Sequence, residues 1–209
     1  MSINTEQNME QAILETATKL FLEKGFRSTS TTEIAREVGC NQALVHYYYR
    51  TKERLFEAIF EKKIKFFIGS LFKIDHEDIP FEKKLTRKIE SHFDAIKEEP
   101  KLPLFFFNEA SSNPNRLQQL RDKLGELPDL VVNQMKNELE AEIKKGNIRP
   151  MTIYDLLMTI VSLNIVAFIA EPIFKTITKI SDEEYLKLLE RRKKENVHII
   201  LNSLKPRFT

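Results

Sequence analysis

Residues 31–50 read TTEIAREVGCNQALVHYYYR, with Ser30 immediately before them. Ser30 and Glu33 have the three-residue spacing of a capping box, in which each side chain bonds the other's backbone N–H and opens a helix. Ile34, Ala35 and Val38 recur on one face of that helix. Gly39 then falls where a tight turn needs a positive φ, which glycine enters without a Cβ clash. Asn41-Gln42 opens a second short helix, rich in aromatics, that runs through Tyr49. Two short helices joined through a glycine turn make a helix-turn-helix. Ala35 is small where the two helices would touch, and Ile34, Val38, Cys40 and Val45 would close the core between them.

With Val45 and Tyr49 taking the inward face, the outward positions are Asn41, Gln42, Ala43, Leu44, His46 and Tyr47. Asn and Gln side chains pair with base edges, and Ala and Leu suit a thymine methyl. Tyr and His hydrogen-bond phosphate oxygens. Thr31 and Thr32 bring hydroxyls and backbone N–H groups at a helix N-terminus, a favourable place for a phosphate. Lys52 adds a cation at the start of the next helix, with an expected phosphate contact.

Outward from this stretch the chain reads as helix after helix. Met9, Ile13, Ala17, Leu20 and Phe21 form one stripe, stopped by Gly25, with Phe26 expected to fold back on it. Thr51-Lys52 opens a fourth helix carrying Leu55, Phe56, Ile59, Phe60, Ile64, Phe67 and Leu71. A break from Asp75 to Pro80 precedes a fifth helix over 81–98, and Pro100 and Pro103 bracket the turn after it. Asn113-Pro114 caps a long helix to Lys145, interrupted near Gly125 and Pro128 and ended by Gly146. Thr152 and Asp155 cap an apolar helix stopped by Pro172. Ser181 and Glu184 open the last one, to about Ser203. The class is therefore all-α, with about nine helices. The three-helix DNA-binding part spans 1–51 and a larger helical part 52–209.

A formal net charge of +2 neither supports nor excludes a polyanion partner, because placement of charge decides that. The single cysteine, Cys40, has no intramolecular disulfide mate and reads as a small buried apolar side chain. MSINTEQNMEQ has no basic and apolar leader pattern, and the apolar run 156–170 is short of a membrane span, so a cytoplasmic protein without a membrane partner is expected. No HExxH, paired cysteines, GxGxxG or GxSxG occurs, so neither a catalytic residue, a metal ligand set nor a cofactor is assigned.

Residues 9–56 resemble the N-terminal domain of the TetR family of transcriptional regulators. The matching features are the Ile13, Ala17, Leu20, Phe21 stripe, Gly25-Phe26, Thr31-Thr32-x-Ile34-Ala35, Gly39, and Val45 to Tyr49 followed by Lys52-Glu53-x-Leu55. His46, Tyr49 and Ala43 depart from the family's frequent Tyr, Phe and Gly, so an operator sequence does not carry over. The resemblance implies a homodimer on a palindromic or near-palindromic DNA operator. It also implies a divergent second domain for ligand binding and dimerisation, its last two long helices (here 152–170 and 181–203) pairing with their twofold mates.

The resemblance further implies a repressor released from DNA by a small apolar or amphipathic molecule. Candidate contacts for that molecule are His92, Phe105, Phe106, Asn108, Glu109 and Asn164; the stretch 105–109 also suits core packing, His92 also suits a satisfied core or surface histidine, and Asn164 also suits a dimer contact. The run Arg191 to Lys194 reads as a solvated helix face. The rival readings are a DNA-binding regulator controlled by a partner protein, with a filled second core, and, less favoured, an enzyme in the second domain.

Overall fold

The computed structural model describes residues 3–72 and 79–206. Among them it contains eleven helices and no strand. The chain divides into two units, Met1–Lys65 and Phe66–Thr209.

In the first unit, α1 (Ile3–Ser28) is broken at Gly25, whose φ of 77° and ψ of 171° are non-helical. That turn lets Phe26 fold back, as its position implied. Its ring lies 4.9 Å from Phe56 and 6.0 Å from Phe21. Next come α2 (Thr31–Val38), α3 (Gln42–Tyr49) and the start of α4 (Lys52–Phe72). The core is built from Ile13, Ala17, Leu20 and Phe21 of α1, Ile34 and Ala35 of α2, Val45 of α3, and Leu55, Phe56, Ile59 and Phe60 of α4. Helix α4 continues past Lys65, so one unbroken helix runs out of the first unit into the second.

The second unit holds the end of α4, α5 (Phe81–Glu98), α6 (Leu102–Ser112), α7 (Pro114–Leu124), α8 (Leu127–Lys144), α9 (Ile153–Ile169), α10 (Glu171–Thr178) and α11 (Asp182–Leu204). Helices α5, α9 and α11 pack on one another. One core cluster joins Leu85 and Ile89 with Met135, Leu139, Ile153, Leu156, Ile160, Ile200 and Leu204. A second joins Phe93 and Ile96 with Phe168, Tyr185 and Leu189. Arg149 ties down the end of α11, its backbone N–H on Leu204 O at 2.9 Å and its Nε on Ser203 O at 2.6 Å.

The helix count exceeds the expected nine for two reasons. Gly125, at φ 57°, separates α7 from α8. Helix α9 ends at Ile169, just ahead of Pro172 as expected, but Pro172 also opens a further helix: it sits in the first turn of α10, where its missing N–H is one that a helix start leaves unpaired anyway. Pro103 likewise lies inside the first turn of α6. The break expected from Asp75 to Pro80 lies, as far as Asp78, outside the described residues.

Capping followed sequence closely. Thr152 with Asp155 and Ser181 with Glu184 form complete reciprocal boxes. The Ser30 box is one-sided: Ser30 Oγ accepts from Glu33 N–H at 3.1 Å, while the Glu33 carboxylate accepts from Lys24 Nζ. Asn113 stands at the α7 N-cap without a side-chain capping bond. Of the basic run 191–194, Arg192 and Lys193 are half-buried and turned to partners: Arg192 donates to Asn196 Oδ1, and Lys193 to both oxygens of Asp94. No single described helix is long and apolar enough to cross a membrane; α9 and α10 reach that length only together, across a 55° bend.

Candidate nucleic-acid interface

The helix-turn-helix is assembled by caps at both sides of its turn. Gly39 adopts φ 80°, ψ 27°, and its N–H donates to Arg36 O at 3.2 Å, while Cys40 N–H donates to Ala35 O at 2.9 Å. These bonds satisfy carbonyls that the end of α2 would otherwise leave open. Asn41 then caps α3, its Oδ1 accepting from Leu44 N–H at 2.9 Å. Ile34, Ala35 and Val45 are buried between the helices, whereas Val38 and Cys40 are only half-buried. Tyr49 is also half-buried and bonded to Glu10 of α1; burial, and then the Glu10 carboxylate, push its phenol up to about 12.

Gln42, Ala43, His46 and Tyr47 are turned to solvent, as are Asn41 and Thr32; Thr31 and Leu44 are half-buried. Tyr47 is 71% exposed, its ring 5.2 Å from that of the half-buried Tyr48.

A hydrogen-bonded chain runs across this face. Arg50 O lies 2.9 Å from His46 Nδ1. A carbonyl only accepts, so Nδ1 carries a proton, and in the neutral ring Nε2 is then an acceptor. Gln42 Nε2 stands 3.2 Å from that Nε2 and 2.9 Å from Thr31 Oγ1, donating to both. Both amide hydrogens of Gln42 are thereby engaged, which leaves Oε1 as its remaining acceptor on the solvent face of α3. The matching major-groove groups are exocyclic amines, adenine N6 or cytosine N4. Gln42→Ala is expected to relax preference at one base pair per half-site, by about 1–3 kcal/mol. Sequencing of DNA retained from a random pool by wild type and variant checks this. An unchanged preferred sequence would remove Gln42 from base reading.

Lys52 is held differently from the free cation that its position in the sequence suggested. Its Nζ donates to Phe26 O at 3.0 Å and to Thr29 O at 2.9 Å, and sits 4.2 Å from the centre of the Phe26 ring. Thr29 is itself buried, its hydroxyl donating to Gly25 O at 3.0 Å. The lysine therefore clamps the α1–α2 turn on which Thr31 is mounted. Exposed cations do occur nearby in the chain: Arg50 at the α3 C-cap, with φ 59°, and Arg54 in the first turn of α4. Sequence reading passed over both, and their only signal was a basic residue close to the recognition helix.

Of the residues considered for a small ligand, His92, Asn164, Phe105 and Phe106 are connected through contacts in the second unit, whereas Asn108 and Glu109 are turned elsewhere. His92 and Asn164 are fully buried and 3.1 Å apart. Phe67 links His92 (4.9 Å) to Phe106 (5.7 Å), and Phe105 lies 5.7 Å from Phe106. Asn108 points to solvent, and Glu109 is paired with Arg116 across 2.5 Å.

The family model described as bacterial regulatory proteins, tetR family, matches residues 13–59, which hold all of α2 and α3. The HTH-type transcriptional regulator YhgD of Bacillus subtilis (strain 168) is 23% identical over 141 residues, 68% of this chain and 72% of its own. The biofilm operon icaADBC HTH-type negative transcriptional regulator IcaR of Staphylococcus epidermidis is 31% identical over 70 residues, 34% of this chain and 37% of its own. In structure, a regulatory protein in the tetR family from Rhodococcus RHA1 shares the fold, with a TM-score of 0.73 at 20% identity, over 96% of this chain and 98% of its own. With its helix-turn-helix capped, packed and turned outward, the segment 13–59 of this chain is a DNA-binding domain of the tetR family of bacterial regulatory proteins.

Proposed function

We propose that the protein is a homodimeric repressor in the cytoplasm that leaves a palindromic or near-palindromic operator when a small molecule binds its second domain. Residues 1–51 bind DNA in this reading, and 52–209 sense and dimerise. Repression is supported by the likeness to IcaR, a negative regulator by name.

The observation that carries the dimer is the outer face of α9. It sets Tyr154, Met158, Val166 and Ile169 toward solvent at helical spacing, with Met158 67% exposed. A run of this kind on a helix that is apolar all round calls for a partner surface. A second copy is the occupant that closes the assembly, because one patch then serves both subunits about a twofold axis. Leu186 and Ile199 of α11 are exposed as well, so both long helices bring apolar groups to such a seam. Two recognition helices related by that axis would enter successive major grooves, about one helical turn apart. A ligand that prefers another spacing would draw the population off DNA. Helix α4, which runs from one unit into the other, is the covalent route for that change.

Selection of random duplexes by the purified chain, with sedimentation in parallel, tests the reading. A dimer retaining two inverted half-sites is expected. Met158→Glu with Val166→Glu is expected to yield folded monomers that lose the palindrome. A wild-type monomer retaining one unrepeated half-site would overturn the dimer.

A further inference from the structure

Three helices of the second unit place a file of polar groups inside an apolar interior. Arg192 on α11 donates to Asn196 Oδ1 at 2.5 Å. The Asn196 amide nitrogen donates to Leu163 O at 3.0 Å and to Asn164 Oδ1 at 2.9 Å. The Asn164 amide nitrogen donates to Ile89 O at 2.9 Å and lies 3.1 Å from His92 Nδ1. Both amides are locked in orientation. Turning Asn164 over would face its oxygen to the Ile89 oxygen, and turning Asn196 over would face its nitrogen to the guanidinium.

The lock reaches the imidazole. Asn164 offers His92 only hydrogens, so Nδ1 must accept and the ring proton must sit on Nε2. His92 is 0% exposed, and its Nε2 has no hydrogen-bond partner among the described residues. Interiors tolerate few such groups, and each demands a reason. An unpaired N–H calls for an acceptor. The ring stays neutral near pH 7, because burial lowers its affinity for a second proton. A carboxylate placed against it would be a buried anion facing a neutral ring, which is costly. The rings about it are Phe67, edge-on at 4.9 Å, and beyond that Phe106; both are half-buried and so reach toward the surface.

We propose that the second unit holds a neutral, mostly apolar ligand by one acceptor oxygen (a ketone, ester or amide carbonyl) that receives the Nε2–H of His92 and lies against Phe67 and Phe106. The proposal rests on the ligand-release reading and adds the chemical class of the ligand.

The test uses the full chain with 15N-labelled histidine, followed by long-range proton–nitrogen correlation at neutral pH. The probes are acetophenone, its hydrocarbon twin ethylbenzene and its anionic twin benzoate. Acetophenone is expected to move the His92 Nε2–H downfield and saturably, while the twins leave it in place. His92→Phe is expected to weaken acetophenone about tenfold, the factor for one hydrogen bond, and to spare ethylbenzene. An Nδ1–H tautomer overturns the proposal. So does an Nε2–H that ignores acetophenone and either exchanges with a bound water or lies upfield over the Phe67 face; release by another ligand elsewhere would survive that result. Operator affinity is measured with the same probes. Acetophenone seated on Nε2–H without any loss of operator affinity upholds the site and sinks the release reading.

Discussion

Lys52→Met is expected to destabilise the N-terminal unit by about 2 kcal/mol while leaving the salt dependence of DNA binding nearly unchanged. The ammonium donates to the carbonyls of Phe26 and Thr29 and lies over the Phe26 ring. Hydrogen bonds from a charged donor contribute about 1.5–3 kcal/mol each, and an exposed cation–π contact about 0.5–1. Lys52 is half-buried, so solvent screens these contacts and their net effect falls below the simple sum, to about 2 kcal/mol. Methionine keeps the stem and loses the donors. Thermal unfolding followed by circular dichroism checks the stability, and operator titrations at several salt concentrations check the slope. A normal melting temperature with a slope reduced by about one would show that the ammonium leaves the two carbonyls for a phosphate.

Acidification is expected to destabilise the second unit through His92. In the folded chain, burial holds this imidazole at about 4, against 6.5 for a free side chain. Above pH 6.5 neither state is protonated there, and the full stability is present. Between pH 6.5 and 4 the unfolded chain takes up a proton that the folded chain refuses, so stability falls as pH falls. Each pH unit in that interval costs about 1.4 kcal/mol, which gives roughly 3 kcal/mol lost by pH 4. Carboxylates held below their ordinary range, such as Glu184 and Asp155 in their capping boxes, give up their stabilisation only as pH falls below their free values of 4.5 and 3.8, largely beneath the histidine window. His92→Phe isolates the histidine. Its stability is lower at neutral pH, because the Asn164 N–H loses an acceptor, and it should fall less steeply between pH 6.5 and 4. Urea unfolding of both proteins across that range is the measurement. Parallel curves would mean that His92 titrates normally and is not enclosed.

The two residues also mark the edge of what could be read from the chain alone. Gly25, Gly39, Asn41 and the Ser181–Glu184 box were legible because their reasons lie within three or four residues: a positive φ, or a side chain within reach of its own helix end. The apolar stripes of α1 and α4 were legible for a related cause, since helical periodicity says which side chains share a face before anything packs there. The outward face of α3 followed once Val45 was placed inward, except at Leu44, which is half-buried.

Pro172 was read only as a stop, which the end of α9 at Ile169 matches; its second role in the first turn of α10 was missed because one proline suits both places and only the path of the chain shows that a new helix follows. Asn108 and Glu109 looked alike beside the phenylalanines, yet one faces water and the other meets Arg116.

The sequence by itself determined an all-helical chain, the position and caps of the helix-turn-helix, and the set of side chains that α3 presents. Tertiary structure alone decided that Lys52 closes on carbonyls 23 and 26 residues away, and that His92 meets Asn164 from 72 residues away. Periodicity assigns a residue to a face but does not name what lies opposite. Hydrogen-bond partners, tautomers and burial depend on that opposite surface, which exists only when the helices have packed.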